Sequence, residues 1–305
     1  MENFKAGFVA IVGRPNTGKS TLVNALVGTK IVITSHHPNT TRNPIRGIIN
    51  REKYQMIVVD TPGMHKPKTA LGTRLNSMVN ENIQSNDAVL LCLPADEEIG
   101  AGDEYIAKQI KGNHKVFLVV TKVDKISKSD LVIRLMAVNE FALRLNLKDA
   151  EIIPVSAKNL DQTELLLELL SKHLPDSPAL YLTDINTDQA QELMFADLIR
   201  EAAIEELYEE LPHSVMVTID EMGERDDGKM FNISATLHVE RDSQKGIIIG
   251  PQGSKLKAIG SLARKSIENL VGMHVFLQIH VKVSKEWQKD PKLLGKLGFT
   301  DAFSD

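Results

Sequence analysis

The stretch "GRPNTGKST", residues 13–21, sets two glycines and a Lys-Ser pair at the spacing G-x-x-x-x-G-K-[ST]. That combination suits phosphate. Gly13 and Gly18 let the backbone curl until its N–H groups point inward at phosphate oxygens. A helix starting directly behind them adds the positive end of its dipole. Lys19 has the reach to meet the β- and γ-phosphates of a nucleoside triphosphate, and the Ser20 hydroxyl is placed to ligate Mg²⁺. Arg14, Pro15, Asn16, Thr17 and Thr21 complete the cradle. A glycine-rich turn that holds nothing is the bland alternative. It leaves the Lys-Ser pair, and the strand before and helix after, without a purpose.

Three shorter fragments bear on which nucleotide is held. "DTPG" (60–63) closes the apolar run "MIVVD", so Asp60 sits at a strand end where it holds Mg²⁺ through water. Thr61 and Pro62 share that turn, and the Gly63 N–H approaches the γ-phosphate. "TKVD" (121–124) ends the run "KVFLVV". There Asp124 accepts from two adjacent donors, which guanine carries at N1 and N2 and adenine lacks, while the stem of Lys122 lies over the base. "VSAK" (155–158) offers the Ala157 N–H to guanine O6, flanked by Ser156 and Lys158. Each fragment alone is weak. In this order, each at the end of an apolar run, they imply a site for GTP and GDP with Mg²⁺. An ATPase or kinase reading conflicts with Asp124.

Residues used this way must be held at strand ends, and the first 175 residues supply the strands. Apolar runs at 8–12, 45–50, 54–60, 88–93, 115–121 and 151–155 alternate with helical patterns, as βαβ units with a mostly parallel sheet do. Several runs are apolar throughout, which fits strands covered by helices on both faces. Leu22 and Leu26 mark a helix that Gly28 ends, and Asp161 with Glu164 reads as the N-cap of a leucine-rich helix. Residues 176–189 read as a surface linker, with two prolines nearby and little periodicity. Beyond it, 190–305 changes rhythm: an acidic amphipathic helix, strands near 214–222 and 230–240, a helix pair around "GIIIGPQGSKLKAIG" (246–260), the strand "HVFLQIHVKV" (274–283) and a short helix around 290–299. Leu256, Ile259, Ala263, Ile267 and Leu270 form the packing face of the second of the pair.

Charge separates the two halves further. The whole chain carries -4, yet residues 243–289 hold eight Lys/Arg against two acids. A basic segment in an acidic protein marks a local anion-binding surface, although a solvated lysine face gives the same count. The single cysteine, Cys92, lies in "AVLLCLP", so no disulfide forms and a reducing, cytosolic home is expected. No apolar run reaches the roughly 18 residues of a membrane span, and the N-terminus has no signal-peptide pattern.

The nucleotide motifs resemble those of translation-factor-type GTPases. That likeness implies a Mg²⁺ ligand at Thr41 in "HPNTTRNPI", with Thr40 as the fallback, in a loop ordered by the γ-phosphate; His36 and His37 read as loop surface. Met64 stands where many such enzymes carry a glutamine that orients water, and Asn16 matches an asparagine that helps bind K⁺. The helix-strand-strand-helix-helix-strand order, with "IIGPQGSKLKAI" in the place of I-G-x-x-G-x-x-[IL], resembles a type II KH domain. An α/β P-loop GTPase domain followed by a smaller α+β KH domain resembles the Era family of bacterial GTPases over essentially the whole chain, including "GRPN", "TTRN", "DTPGMHKP", "PHSV", "VERDSQKGIIIG" and "KDPKLLGKLGF". The resemblance implies a slow, K⁺-stimulated GTP-hydrolysing switch, with Lys19, Thr41, Gly63 and Asn16 carrying catalysis. It implies a monomer in the cytoplasm, loosely associated with the membrane, that binds 16S ribosomal RNA near its 3′ end during assembly of the 30S subunit. RNA contacts fall on Lys245, Gly250, Pro251, Gln252, Gly253, Ser254, Lys255, Lys257 and Lys282. A binding factor that uses GTP only as a conformational ligand is the alternative, kept open by Met64. Five positions depart from the family pattern: Thr17 for valine, Thr121 for asparagine, an uncharged Pro251-Gln252 pair and His280 for an aromatic.

Overall fold

The apolar runs of the first half become a six-stranded sheet in the computed structural model, which describes residues 3–34, 41, 43–64, 76–77, 79, 83–110, 112, 115–147, 149–207, 215–225 and 228–285. The strands are β1 (Lys5–Val12), β2 (Ile45–Asn50), β3 (Tyr54–Asp60), β4 (Ala88–Pro94), β5 (Lys115–Thr121) and β6 (Glu151–Pro154), in the order β2-β3-β1-β4-β5-β6. Only β2 runs antiparallel to its neighbour, and the rest are parallel. Period-2 alternation splits the core across the sheet. Val9 and Ile11 of β1 face a cluster with Leu22 and Leu26 of α1 (Lys19–Val27) and Leu166 and Leu170 of α4 (Thr163–Ser171). Ala10 and Val12 face Ile106 of α2 (Ala101–Gln109) and Val138 and Phe141 of α3 (Lys128–Arg144). Two-sided cover explains why these strands are apolar throughout. Cys92 is buried inside, where loss of hydration pushes its thiol up to about 12.

Two expectations change here. Asp161 does not cap α4: its backbone exchanges hydrogen bonds of 3.2 and 3.0 Å with Ser156, which uses it to close a turn. The helix starts at Thr163 from a left-handed Gln162. Residues 176–188, read as a linker, bind back onto the first unit. The buried Gln55 amide of β3 accepts from the N–H groups of Leu180 and Tyr181 (2.7 and 2.9 Å) and donates to the Tyr181 carbonyl (2.9 Å). Ile48 N–H donates to Asn186 O at 2.8 Å, and Arg46 pairs with Asp188 at 2.9 Å. The compact units accordingly divide as Met1–Asp188 and Gln189–Asp305.

The second unit has α5 (Gln191–Glu206), β7 (Met216–Glu224), β8 (Met230–Val239), α6 (Asp242–Ile249), a 3₁₀ turn (Pro251–Gly253), α7 (Ser254–Val271) and β9 (His274–Val283). The sheet runs β7-β8-β9, antiparallel then parallel. Phe195 of α5 meets Phe231 of β8 edge to face at 5.7 Å, and Ile259, Ala263 and Ile267 of α7 are fully buried. Leu270, expected on that face, is 39% exposed, since α7 ends one residue later at the left-handed Gly272. Among the described residues no helix is long and apolar enough to cross a membrane. The helix expected at 290–299, the "PHSV" residues 212–214, Thr40, His36 and His37 lie outside the described residues.

Candidate functional site

Register brings the first-half motifs together. Ile11 lies opposite Asp60, Val12 opposite Leu91, and Pro94 opposite Thr121. With β1, β3, β4, β5 and β6 parallel, the segments after each leave one edge of the sheet, where α/β folds build their sites.

Close packing dictates Gly13 of the first loop, and backbone angle dictates Gly18. A Cβ on Gly13 would stand 2.7 Å from Thr17 Oγ1 and 3.0 Å from Cys92 O. Gly18 opens α1 with φ of 88°, and Asn16 also holds a positive φ of 64°. Lys19 is almost fully buried, and its Nζ donates to the carbonyls of Gly13 (3.2 Å) and Arg14 (2.8 Å). Burial lowers the Lys19 pKa, against the pull of Asp60. A buried ammonium held mainly by neutral carbonyls gains most from an anion alongside it.

Three oxygens converge next to that lysine. Ser20 Oγ and Thr41 Oγ1 both donate to Asp60 Oδ2 at 2.9 Å and lie 3.1 Å from each other. Asp60 is fully buried, and desolvation raises its pKa, partly offset by Lys19, Ser20 and Thr41. Among the described residues its second oxygen, Oδ1, has no hydrogen-bond partner. A buried hard oxygen left unpaired beside two hydroxyls fits Mg²⁺. Ser20 and Asp60, expected here from the motif chemistry, and Thr41, expected from the family likeness, are thus brought together.

The residues expected to read the base lie after β5 and β6. Ser156, fully buried, donates to Asp124 Oδ1 at 2.6 Å, and its Oγ also accepts from Asn159 N–H at 3.1 Å. Ser156 thus orients Asp124 rather than lining the pocket by itself. Thr121 Oγ1 donates to Thr17 O at 2.6 Å, tying the end of β5 to the phosphate loop. Lys122 takes a left-handed φ of 58°, with Nζ 3.6 Å from both Asp96 and Glu97.

Arg14 departs from the cradle. Its guanidinium turns away to the buried Asp103 at 2.8 Å and to Glu97 at 3.2 Å, leaving only its backbone at the loop. Asp103 also accepts from Gly100 N–H at 2.9 Å at the start of α2. Sequence reasoning missed Asp96, Glu97 and Asp103. The one signal was an acid at the third position of a helix behind a glycine. Gly63 packs against the same loop: a Cβ there would lie 2.8 Å from Pro15 N. Met64 N–H donates to Gly13 O at 3.1 Å while its side chain is fully buried in the cluster with Val12 and Leu91. That side chain faces the core.

In the second unit the G-x-x-G stretch forms the turn between α6 and α7. Gly250, Gln252 and Gly253 take φ of 68°, 51° and 77°. A Cβ on Gly250 would lie 2.9 Å from Lys255 Cγ, whereas nothing lies within 4 Å of one on Gly253. Lys255 is therefore half-buried, its stem covering Gly250, and not free as expected. Pro251, Gln252, Ser254, Lys257 and, on β9, Lys282 are exposed, and Lys245 of α6 is half-buried. Gly253 caps α7, whose first N–H groups point into the turn.

Residues 8–122 match the family described as 50S ribosome-binding GTPase, and residues 210–288 match the KH domain. GTPase Era of Mycolicibacterium smegmatis is 50% identical over 303 residues, covering 98% of this chain and 100% of that protein. GTPase Era of Mycobacterium tuberculosis is 49% identical over 304 residues, with 98% and 100% covered. An Aquifex aeolicus Era variant bound to GDP.AlF4- superposes with a TM-score of 0.91 at 34% identity, covering 97% of this chain and 100% of that one. Era in complex with MgGDPNP and nucleotides 1506–1542 of 16S ribosomal RNA gives 0.92 at 35% identity, with 97% and 99% covered. With a complete guanine-nucleotide edge in one unit and a G-x-x-G turn on a KH fold in the other, the chain belongs to the Era family of GTPases.

Proposed function

We propose that this GTPase is a switch that holds 16S ribosomal RNA near its 3′ end while the small ribosomal subunit is assembled, and releases it after hydrolysis. The observation that carries the reading is the match, over 97% of the chain, to an Era bound at once to a GTP analogue and to that RNA segment. The setting this reading implies is the cytoplasm, with the chain acting as a monomer and only peripherally at the membrane.

The residues divide the work. Lys19 and the N–H groups at the start of α1 neutralise the triphosphate. Ser20, Thr41 and Asp60 would hold Mg²⁺, which when bound screens the phosphate charge that builds up as the bond breaks. Asp124, fixed by Ser156, selects guanine, with Ala157 N–H on O6. Gly63 packs against Pro15 of the phosphate loop, and its N–H is the donor proposed for the terminal phosphate. Since Met64 is buried in the core, this chain's own side chain at that position orients no water, and slow intrinsic turnover follows. Asn16, in its left-handed position on the loop, is the residue proposed to help hold K⁺. On the second unit, the Gln252 N–H and the N–H groups of the first turn of α7, with Lys257 and Lys282, grip the RNA backbone, supported by Lys245 and Lys255.

GTP turnover measured with and without a fragment from the 3′ end of 16S RNA tests this. Asp124→Asn should move preference from guanosine to xanthosine nucleotides. Gly250→Asp with Gly253→Asp should abolish RNA binding while sparing intrinsic hydrolysis. Retained RNA binding in that double variant, or no turnover under any condition, refutes the corresponding half.

A further inference from the structure

Beside the nucleotide edge, α3 and the segment after β4 enclose a groove of about 760 Å³ that no step above uses. Ile99, Ile126, Ala137 and Phe141 are among its apolar lining, and Ile133 stands at its wall 66% exposed. The apolar surface continues along α3: Val132, Met136 and Leu143 are 58%, 62% and 55% exposed. At 100° per residue these three fall within a narrow stripe, with Ile133 and Glu140 next to it. Four large apolar side chains on one 17-residue helix make a patch of the kind that marks an interaction site rather than scattered surface residues.

Charge states what fits. Five carboxylates and two guanidiniums line the groove. Asp96 is already paired with Lys125 at 2.7 Å, Glu97 with Arg14 at 3.2 Å, and Arg144 with Glu104 at 2.7 Å. Glu98 and Glu140 make no ion pair among the described residues, and Asp130 is met only by Ser127. Arg134 is nine-tenths buried, donates from Nη2 to Pro94 O at 2.8 Å, and among the described residues its buried Nε–H has no partner. The groove thus combines an apolar floor with an acidic rim.

We infer that this groove docks a lysine- or arginine-rich, leucine- or isoleucine-anchored helical segment of a protein. Its apolar side covers Ile133 and the neighbouring exposed Met136, and its cations meet Glu98, Asp130 and Glu140. The segment 95–99 that forms one wall also carries the acids that hold Arg14 and Lys122, so docking and nucleotide binding share a structural element.

Two measurements test this on the full chain. In the first, a synthetic amphipathic peptide of leucine and lysine is titrated, with an equivalent leucine-glutamate peptide as control. Saturable binding of the lysine peptide alone, weakened tenfold or more by Glu98→Lys with Glu140→Lys and separately by Ile133→Ser, supports the site. Equal binding to wild type and both variants overturns it, as does preference for the glutamate peptide. GTP hydrolysis by the variants reports that the fold is intact. In the second, Met136→Cys carries a benzophenone label, Cys92 being buried, and the protein is irradiated on small ribosomal subunits. Adducts to basic, leucine-rich protein segments, absent for a label at Glu52→Cys, support the inference; RNA adducts alone, or none, oppose it. The choice of subunits rests on the proposed function, and co-sedimentation in the same experiment reads that function separately.

Discussion

Thr121 stands where the family carries asparagine, and its hydroxyl makes one of the shortest side-chain contacts in the protein, 2.6 Å to Thr17 O. Both residues are buried, at 3% and 0% exposure, so Thr121→Val keeps the shape and leaves a carbonyl unpaired without access to water. That desolvated acceptor costs about 1–3 kcal/mol. For a unit of this size the loss lowers the melting temperature by roughly 2–12 °C. The same carbonyl belongs to the phosphate loop. If the whole loss falls on the binding-competent loop, GDP affinity drops about 5- to 150-fold, since 1.4 kcal/mol is tenfold. Calorimetric melting and fluorescent-GDP titration of wild type, Thr121→Val and Thr121→Ser check both effects. Serine keeps the donor and should recover most of the loss. Unchanged melting and affinity in the valine variant, or a serine variant as impaired as valine, refute the tie between β5 and the loop.

Asp103→Asn strips the carboxylate from a quarter-exposed Arg14 and should destabilise the first unit by about 2–3 kcal/mol, whereas Glu97→Gln, at a more exposed pair, should cost about 0.2–1 kcal/mol; chemical denaturation ranks them. Gly253→Ala meets open space but a left-handed backbone and should cost the second unit about 1–2 kcal/mol, with Gly250→Ala costing more because its Cβ also meets Lys255; thermal melts showing the reverse order contradict the geometry. Gln252→Lys retains the same backbone demand and adds a charge on the exposed turn, so RNA binding should tighten and the salt slope should steepen by roughly one. GTP hydrolysis should run faster in K⁺ than in Na⁺ at equal ionic strength, and Asn16→Ala should remove the difference; equal rates in wild type dismiss the K⁺ site.

The nucleotide edge was legible because each motif is local. A strand end plus three or four residues specifies where Lys19, Asp60, Asp124 and Ala157 emerge, and parallel pairing brings those ends together. What sequence reasoning missed depends on contacts far apart in the chain. Arg14 lies 89 residues from Asp103, and nothing around either residue announces the other. Gln55 looks like a polar interruption in an apolar strand until its amide is seen holding a segment 125 residues away, which turns an apparent linker into a strap on the first unit. Met64 follows "DTPG" and invites comparison with catalytic residues there, yet an apolar side chain beside an apolar core obeys burial first.

The turn between α6 and α7 shows how far local chemistry carries and where it stops. Two glycines three apart signal positive φ, and both positions have it, but for unequal reasons. Gly250 is required by backbone angle and by the Lys255 stem above it, so the lysine nearest the turn spends part of its length as packing. Gln252 takes a left-handed φ without a glycine's freedom, a strain that the neighbouring Pro251 and the first turn of α7 must hold in place. In the RNA contact proposed above, an uncharged, strained, pre-shaped turn would meet phosphate through fixed N–H groups more than through mobile cations. Its affinity for RNA should therefore fall less steeply with salt than that of a turn carrying a lysine at the same position, and that slope is the quantity by which Gln252→Lys separates the two designs.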